Sequence, residues 1–204
     1  MRVPNAPHRL LALDLETTGL DPRRDAIVAV GSVPVEGGSI RWGERRRALV
    51  DDPRSQRPRD LAALGVHQTL PSEQRGGIPL AGLLDLVAGE LDAGGALLVH
   101  GASLERGFLD AAARAEGRRD RRFRAVCTLA YLRAVDRYRH HLADRLPRDA
   151  ARHARLPTVL GEARALFGLP DYPPHEPLYD ALGTAELYLL LSRRFPELHP
   201  GVGA

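Results

Sequence analysis

A strict two-residue alternation near the N-terminus constrains the fold of this chain most. Leu11, Leu13 and Leu15 alternate with Asp14 and Glu16, and a β-strand places alternate side chains on opposite faces. One face of the predicted strand is therefore apolar, and the other face presents two carboxylates. Two carboxylates held this close raise each other's pKa unless a cation lies between them. The pattern predicts a strand that carries part of a metal site.

The composition is typical of a globular protein with one domain. The chain has 204 residues, of which 44% are hydrophobic and 27% are charged. We expect a single domain over residues 1–204, with a core at about 9–195 and short flexible termini. No run of about 18 apolar residues occurs, and residues 1–10 lack the apolar segment of a signal peptide, which predicts a cytoplasmic protein with no membrane partner. The single cysteine, Cys127, is interpreted as a small core residue on a strand.

The basic residues are all of one kind. All 29 are arginine, and the formal net charge is +3. The planar guanidinium suits phosphate and stacks on bases, so a phosphate-rich partner is one explanation, and a biased genomic base composition is the other. The arginine clusters at 45–47 and 118–124 are typical of a solvated surface.

The order of the predicted elements indicates a mixed sheet. Strands are predicted at 9–16, 26–35, 39–50, 96–100 and 124–128, and helices at 79–92, 103–115, 157–167 and 180–194. Three meandering strands followed by alternating helices and strands favour an α/β fold with helices packed on the sheet. The stretch 136–155 resists assignment, and its histidines, His140, His141 and His153, fit a surface helix or loop better than a metal site.

Two further segments carry acids in a similar setting. Glu105 follows a short apolar strand in VHGASLERGFL, and Asp180 follows His175 by five positions in HEPLYDAL. Together with DLETTGLD (14–21), and in this order, the segments resemble the DEDDh 3′–5′ exonuclease superfamily, which includes the proofreading epsilon subunit of bacterial DNA polymerase. The resemblance covers residues 9–195. It implies a ribonuclease H-like α/β fold with a five-stranded mixed sheet flanked by helices.

The resemblance also implies an activity. We expect a metal-dependent 3′–5′ exonuclease that hydrolyses phosphodiester bonds at the 3′ end of single-stranded nucleic acid, DNA rather than RNA, and releases nucleoside 5′-monophosphates. Such an enzyme would serve DNA repair or proofreading, with a DNA polymerase as a candidate partner. The alternative is a weakly active or inactive domain that binds nucleic acid or a polymerase.

The expected cofactors are two divalent metal ions, Mg²⁺ or Mn²⁺. Hydrolysis needs an activated water and compensation for negative charge, and two such ions held by hard oxygen ligands can supply both. Asp14, Glu16, Glu105 and Asp180 are the expected ligands, and His175 is the expected general base. Glu176 stands where the sister group of exonucleases has a tyrosine, so the histidine subtype is favoured.

The second segment departs from the family pattern. Glu105 replaces the usual Asp, and Gly101 replaces the usual Asn. Asp110 is an alternative acid, but it follows His100 by ten positions rather than five. Ser103 could cap the following helix and so place Glu105 in its first turn.

The resemblance assigns the substrate side to the loop after the first strand. Thr17, Thr18 and Leu20 would hold the terminal nucleotide, with the leucine wedged under its base. His67 lies in a turn that often approaches this nucleotide, although an ordinary turn histidine explains it equally well. Aromatic residues make up 5% of the chain, which argues against an extended base-stacking platform.

Overall fold

The computed structural model describes residues 7–56, 76–92, 94–118, 123–143 and 155–203. His67 and His153, both named in the sequence predictions, lie outside these residues. Among the described helices, none is long and apolar enough to cross a membrane.

Among the described residues, five strands come first, helices alternate with strands over 78–143, and two further helices follow. The strands are β1 (Arg9–Thr17), β2 (Ile27–Glu36), β3 (Ser39–Ile40), β4 (Arg46–Asp51), β5 (Ile78–Pro79), β6 (Ala96–Val99) and β7 (Ala125–Cys127). The α-helices are α1 (Leu80–Asp92), α2 (Ala102–Ala115), α3 (Thr128–Ala143), α4 (Leu160–Leu166) and α5 (Pro177–Arg194). Short 3₁₀ turns occur at Trp42–Glu44, Pro53–Gln56 and Pro196–Leu198.

The strands form one mixed sheet in the order β5-β4-β2-β1-β6-β7, with β3 paired to β2. β1, β2 and β4 form an antiparallel meander, whereas β6 and β7 run parallel to β1. Four of the five predicted strands correspond to β1, β2, β6 and β7. The strand predicted at 39–50 is interrupted by the 3₁₀ turn Trp42–Glu44, which divides it into β3 and β4. The predicted α/β fold is confirmed.

The alternation in β1 divides the core into two layers. Leu11, Leu13 and Leu15 belong to the cluster that contains apolar residues of α1 and α2. Leu10 and Ala12 belong to the other cluster, with apolar residues of α3 and α5. Asp14 and Glu16 continue the same alternate positions as Leu10 and Ala12, so their side chains lie on the same face of β1. The helix α5 therefore packs on the side of the sheet that carries the two carboxylates.

A glycine allows α5 to approach the sheet. Gly31 of β2 lies opposite Asp14 in the β1–β2 register. A Cβ atom at Gly31 would lie 2.0 Å from the carbonyl carbon of Pro177, the first residue of α5. Any larger residue would therefore push the start of this helix away from Asp14.

Three local predictions need correction. The first is the start of α5, which begins at Pro177 rather than at 180, because proline is favoured at the first helical position and Glu176 caps the helix. The second is the cap of α2. This helix begins at Ala102 with Gly101 as its N-cap and no side-chain cap, so Ser103 does not cap it.

The third correction is a helix, α3, at 128–143, where the sequence indicated the end of a strand followed by an unassigned stretch. Tyr131, Leu132 and Val135 of this helix are buried and have helical spacing, but arginine and histidine are frequent in the same stretch. His140 and His141 lie in the last turn of this helix; His141 is exposed, whereas His140 is half-buried beside Asp136. Cys127 ends β7 and is half-buried.

Candidate active site

Acidic side chains from β1 and α5 meet at one end of the sheet. Asp14 and Glu16 lie on the α5 side of β1, and Asp180 lies in the first turn of α5. Ligand atoms of Glu16, His175 and Asp180 all lie within 4.8 Å of one another. Three of the predicted site residues are therefore close enough to bind one ion.

The electrostatics of this cluster favour protonation or a cation. Burial raises the pKa of Asp14 well above its ordinary value, and the charges of Asp180, Glu16, Glu105 and Glu176 raise it further. Burial also raises the pKa of Glu16 to about 7, with contributions from Asp180 and Glu176. The pKa of Asp180 is raised, again mainly by burial. Neighbouring carboxyl groups whose pKa values are all raised mark a place where a divalent ion would reduce the repulsion between their charges.

Glu105 approaches from the other helical layer. It lies in the first turn of α2 and is 6% exposed, and burial raises its pKa to about 7. Its Oε2 is buried without a hydrogen-bond partner among the described residues. The charge of Glu105 acts on Asp14, whereas Asp110 is not among the groups that raise the pKa of Asp14. Glu105 therefore lies near enough to Asp14 to act on its charge.

Gly101 and Glu105 lie next to each other in the structure. A Cβ atom at Gly101 would lie 3.7 Å from Oε2 and 4.0 Å from Oε1 of Glu105. These are ordinary van der Waals distances for a Cβ, but the rest of an asparagine side chain would have to share the space with the longer carboxylate. The absent side chain at Gly101 and the extra methylene of Glu105 are therefore complementary in volume.

His175 is held in an unusual backbone conformation. Its φ angle is +61°, the left-handed region that non-glycine residues seldom adopt. Its backbone N–H donates a 2.9 Å hydrogen bond to Oδ2 of Asp180, and its side chain is exposed. Strain of this kind persists where surrounding contacts outweigh it, and it is common at functional sites.

A buried arginine supports the loop that leads to His175. Arg164 is 4% exposed and donates to the carbonyls of Gly183 (2.8 Å) and Pro170 (2.7 Å). It also forms a 2.8 Å ion pair with Glu186 and stacks on Tyr172, its guanidinium carbon 4.6 Å from the ring centroid. The hydroxyl of Tyr172 donates to Glu186 at 3.0 Å. Segment 170–175 is thereby attached to α4 and α5, a connection that the sequence did not reveal.

Glu176 and Arg47 are a second pair that sequence reasoning missed. The Glu176 carboxylate accepts 3.1 Å hydrogen bonds from the backbone N–H groups of Leu178 and Tyr179 at the start of α5. It also binds the guanidinium of Arg47 from β4. In the sequence, Glu176 stands out only because it takes the tyrosine position of the sister group. An acid directly before a proline and a helical segment was the signal that could have identified it as a cap.

The loop after β1 is tightly hydrogen-bonded. Thr17 Oγ1 donates to the carbonyl of Gly19 at 2.7 Å, and Thr18 Oγ1 accepts from the N–H of Ala26 at 2.9 Å. Thr18 is buried, whereas Leu20 is 79% exposed. An apolar side chain this exposed on an ordered loop is consistent with contact to a ligand.

The donor set fits divalent cations. Carboxylate oxygens are the ligands that Mg²⁺ and Mn²⁺ prefer, and Glu105 Oε2 has a buried lone pair to offer. The group of Glu16, His175 and Asp180 provides a second set of converging donors.

Comparisons with known proteins bear on the fold. A scan against protein-family models and a search among curated proteins each found no match. Solved structures of exonuclease I are similar. E. coli exonuclease I in complex with a dA16 oligonucleotide gives a TM-score of 0.70 at 16% identity, over 94% of this chain and 42% of that chain. The apo form gives 0.69 at 16% identity, over 95% and 44%. A product-bound structure gives 0.68 at 15% identity, over 95% and 45%.

These similarities show the fold. The chain has the ribonuclease H-like exonuclease fold of exonuclease I, with a mixed sheet flanked by helices. It spans less than half the length of the exonuclease I chains that it matches.

Proposed function

We propose that this protein is a metal-dependent 3′–5′ exonuclease that acts on single-stranded nucleic acid, DNA rather than RNA. The observation that carries the proposal is the convergence of Asp14, Glu16, Asp180 and Glu105 at one end of β1, with His175 beside them. A cluster of carboxyl groups with raised pKa values, set in this fold, fits phosphodiester hydrolysis better than it fits a purely structural role.

Two divalent ions, Mg²⁺ or Mn²⁺, are the proposed cofactors. Asp14 would contact both ions, Glu16 and Asp180 would complete one site, and Glu105 would contribute to the other. When bound, the ions would lower the pKa of water and compensate the negative charge on the scissile phosphate. His175 would take the proton from the attacking water, and its exposed side chain leaves it accessible to that water.

The substrate end would lie on the loop after β1. Thr17 and Thr18 order this loop, and the exposed Leu20 would contact the terminal base. His67 would contact the same nucleotide. An exonuclease I structure was solved with the single-stranded oligonucleotide dA16, which supports single-stranded DNA as the substrate class. Cleavage from the 3′ end would release nucleoside 5′-monophosphates, and proofreading or repair beside a DNA polymerase is the proposed setting.

A second candidate is a nucleic-acid-binding domain with weak or no activity. The observation in its favour is Glu105, which stands where the superfamily has Asp. Its buried Oε2 could remain protonated rather than bind an ion.

Oligonucleotides labelled at either end separate these two functions. Single-stranded DNA and RNA are incubated with Mg²⁺, Mn²⁺ or EDTA, and products are resolved by length. We expect metal-dependent shortening from the 3′ end with release of nucleoside monophosphates, and loss of shortening in Asp14→Ala and His175→Ala. Activity that persists in Asp14→Ala would contradict the mechanism. Oligonucleotide binding without cleavage under every metal condition would favour the second candidate.

A further inference from the structure

An exposed basic segment leads away from the candidate active site. Every residue from 41 to 47 is exposed, and the segment contains four arginines and one acid. Three of its side chains, those of Trp42, Arg45 and Arg47, form a surface that we name the Trp–Arg strip.

Trp42 and Arg45 form a preformed stack. The guanidinium carbon of Arg45 lies 4.6 Å from the centroid of the Trp42 ring, and Arg45 Nη1 donates to the Trp42 carbonyl at 3.1 Å. Trp42 is nevertheless 41% exposed, and it is the single tryptophan of the chain. A ring and a guanidinium already held together lose little conformational freedom when a base stacks on them.

The acid within the segment is neutralised by other arginines. Glu44 pairs with Arg9 at 2.8 Å and with Arg41 at 3.2 Å. The positive charge of Arg45 is therefore not cancelled by the acid nearest to it in sequence. Arg45 is therefore available to an anionic group that approaches this surface.

The strip begins beside the candidate catalytic carboxylates. Arg47 lies opposite Gly31 in the β2–β4 register, and Gly31 lies opposite Asp14 in the β1–β2 register. Arg47 and Asp14 thus belong to one row across the sheet, on the side where α5 begins. The six residues from Arg47 back to Trp42 can span at most about 18 Å, the reach of a short oligonucleotide. Along 46–49, β4 pairs with β2 alone among the described residues, so the outer edge of this strand carries no other described strand.

We propose that the Trp–Arg strip binds single-stranded nucleic acid on the 5′ side of the terminal nucleotide. This inference rests on the proposed function. Arg45 contacts a phosphate and Trp42 stacks on one base, while Arg47, whose guanidinium is paired with Glu176, marks the end of the strip nearest the candidate carboxylates. Stacking accepts any base, because every base presents a π-face, so the strip adds affinity without sequence preference. A single stacking residue also agrees with the low aromatic content of the chain.

The test compares long and short substrates. Values of kcat and KM are measured in Mn²⁺ for an unlabelled 20-nucleotide single strand and for a dinucleotide, with wild type, Trp42→Ala, Trp42→Phe and Arg45→Glu. Arg133→Ala is the matched control, because Arg133 is exposed on α3, which follows β7 at the opposite end of the strand order. Binding of the same 20-mer is measured in EDTA by fluorescence anisotropy at several salt concentrations.

We expect Trp42→Ala and Arg45→Glu to raise KM for the 20-mer about tenfold, the loss typical of one base stack or a reversed phosphate contact. Values for the dinucleotide should stay within about twofold, and Trp42→Phe should restore most of the affinity. Arg45→Glu should also flatten the salt dependence of binding.

Two outcomes would overturn the inference. Equal effects on the 20-mer and the dinucleotide would mean that the substitutions alter the fold rather than a contact with the substrate. Unchanged values for both substrates would mean that the strip does not bind the substrate and that another partner, such as an acidic protein, binds there. Absence of any metal-dependent shortening by wild type would instead overturn the proposed function. In that case the anisotropy measurement still decides whether the strip binds single strands.

Discussion

Gly31 lies directly opposite Asp14 in the sheet and leaves the space into which the first turn of α5 fits. A Cβ atom at this position would lie 2.0 Å from the carbonyl carbon of Pro177 and 2.1 Å from its oxygen. The distance between the carboxylates of β1 and α5 therefore depends on a residue without a side chain. Because the obstacle would be backbone, no side-chain rotation can relieve the clash.

Gly31→Ala should damage both stability and activity. We expect a loss of about 3 kcal/mol in the free energy of unfolding, in the range for overpacking, because the start of α5 must shift. Exonuclease activity should fall further than stability explains, since Asp180 moves with the helix. Urea unfolding and rate measurements on the folded protein check both effects.

Gly89→Ala is the matched control. Gly89 lies exposed within α1, and a Cβ atom there meets nothing within 4 Å. This change should stabilise the protein by about 1 kcal/mol and leave activity unchanged. A Gly31→Ala protein as stable and active as wild type would refute the packing argument.

The metal-free protein should lose stability as the pH rises. The pKa values of Glu16 and Glu105 are about 7 in the folded protein, above the ordinary value of 4.5. The folded state therefore keeps protons that the unfolded chain releases above pH 4.5. Their contribution is present below about pH 4.5 and is lost as the pH rises through about 7. We expect Tm in EDTA to fall between pH 5 and pH 8, and the increase in Tm on adding Mn²⁺ to be larger at pH 8.

Glu105→Gln isolates one of these groups. Since Glu105 is buried, its neutral isostere should raise the metal-free stability at pH 8, by on the order of 3 kcal/mol at most. It should also reduce the increase in Tm produced by Mn²⁺. A Glu105→Gln protein with an unchanged pH profile would show that this carboxyl group already ionises freely.

Glu105 and Gly101 should behave as a coupled pair. We expect Glu105→Ala to lower kcat by about 100-fold or more, because a proposed metal ligand is lost. Glu105→Asp should retain activity within about tenfold. Gly101→Asn should be harmful as a single change and much less harmful when combined with Glu105→Asp, since the shorter acid leaves room for the amide.

The four proteins of this double-mutant cycle are wild type, Gly101→Asn, Glu105→Asp and the double variant, and they are compared by kcat and by Mn²⁺ affinity. Asp110→Ala is the control and should stay near wild type. If Asp110→Ala is the damaging change instead, Glu105 has been assigned the wrong role.

The network around Arg164 should act on His175 through the loop between them. Tyr172→Phe keeps the ring that stacks on Arg164 and removes the 3.0 Å hydrogen bond to Glu186. We expect kcat to fall about threefold to tenfold with little change in KM, because His175, the proposed general base, is less well placed. Tyr188→Phe is the control, as its hydroxyl contacts His199 at 3.3 Å, away from this loop. Unchanged kcat in Tyr172→Phe, or an equal decrease in Tyr188→Phe, would contradict the positioning role.

Much of the fold could be predicted because the signals are local. The alternation that includes Leu13 and Asp14 defines a strand within a few residues, and the core confirms it by dividing the positions of this strand between two layers. The helix α3 escaped prediction because arginine and histidine are frequent in its sequence, although its buried residues Tyr131, Leu132 and Val135 have helical spacing. The predicted start of α5 lies three residues late, because the cap that decides it, Glu176, stands out in the sequence only at the tyrosine position of the sister group.

Local sequence patterns were sufficient to place Asp14 and Glu16 on one face of a strand and His175 and Asp180 near the start of a helix. How these parts meet became clear from the folded chain. Glu176 and Arg47 are 129 positions apart, and the fit of Pro177 on Gly31 joins a helix to a distant strand. The physical reason is that side-chain periodicity depends on neighbouring residues alone, whereas ion pairing and close packing depend on the path of the whole chain.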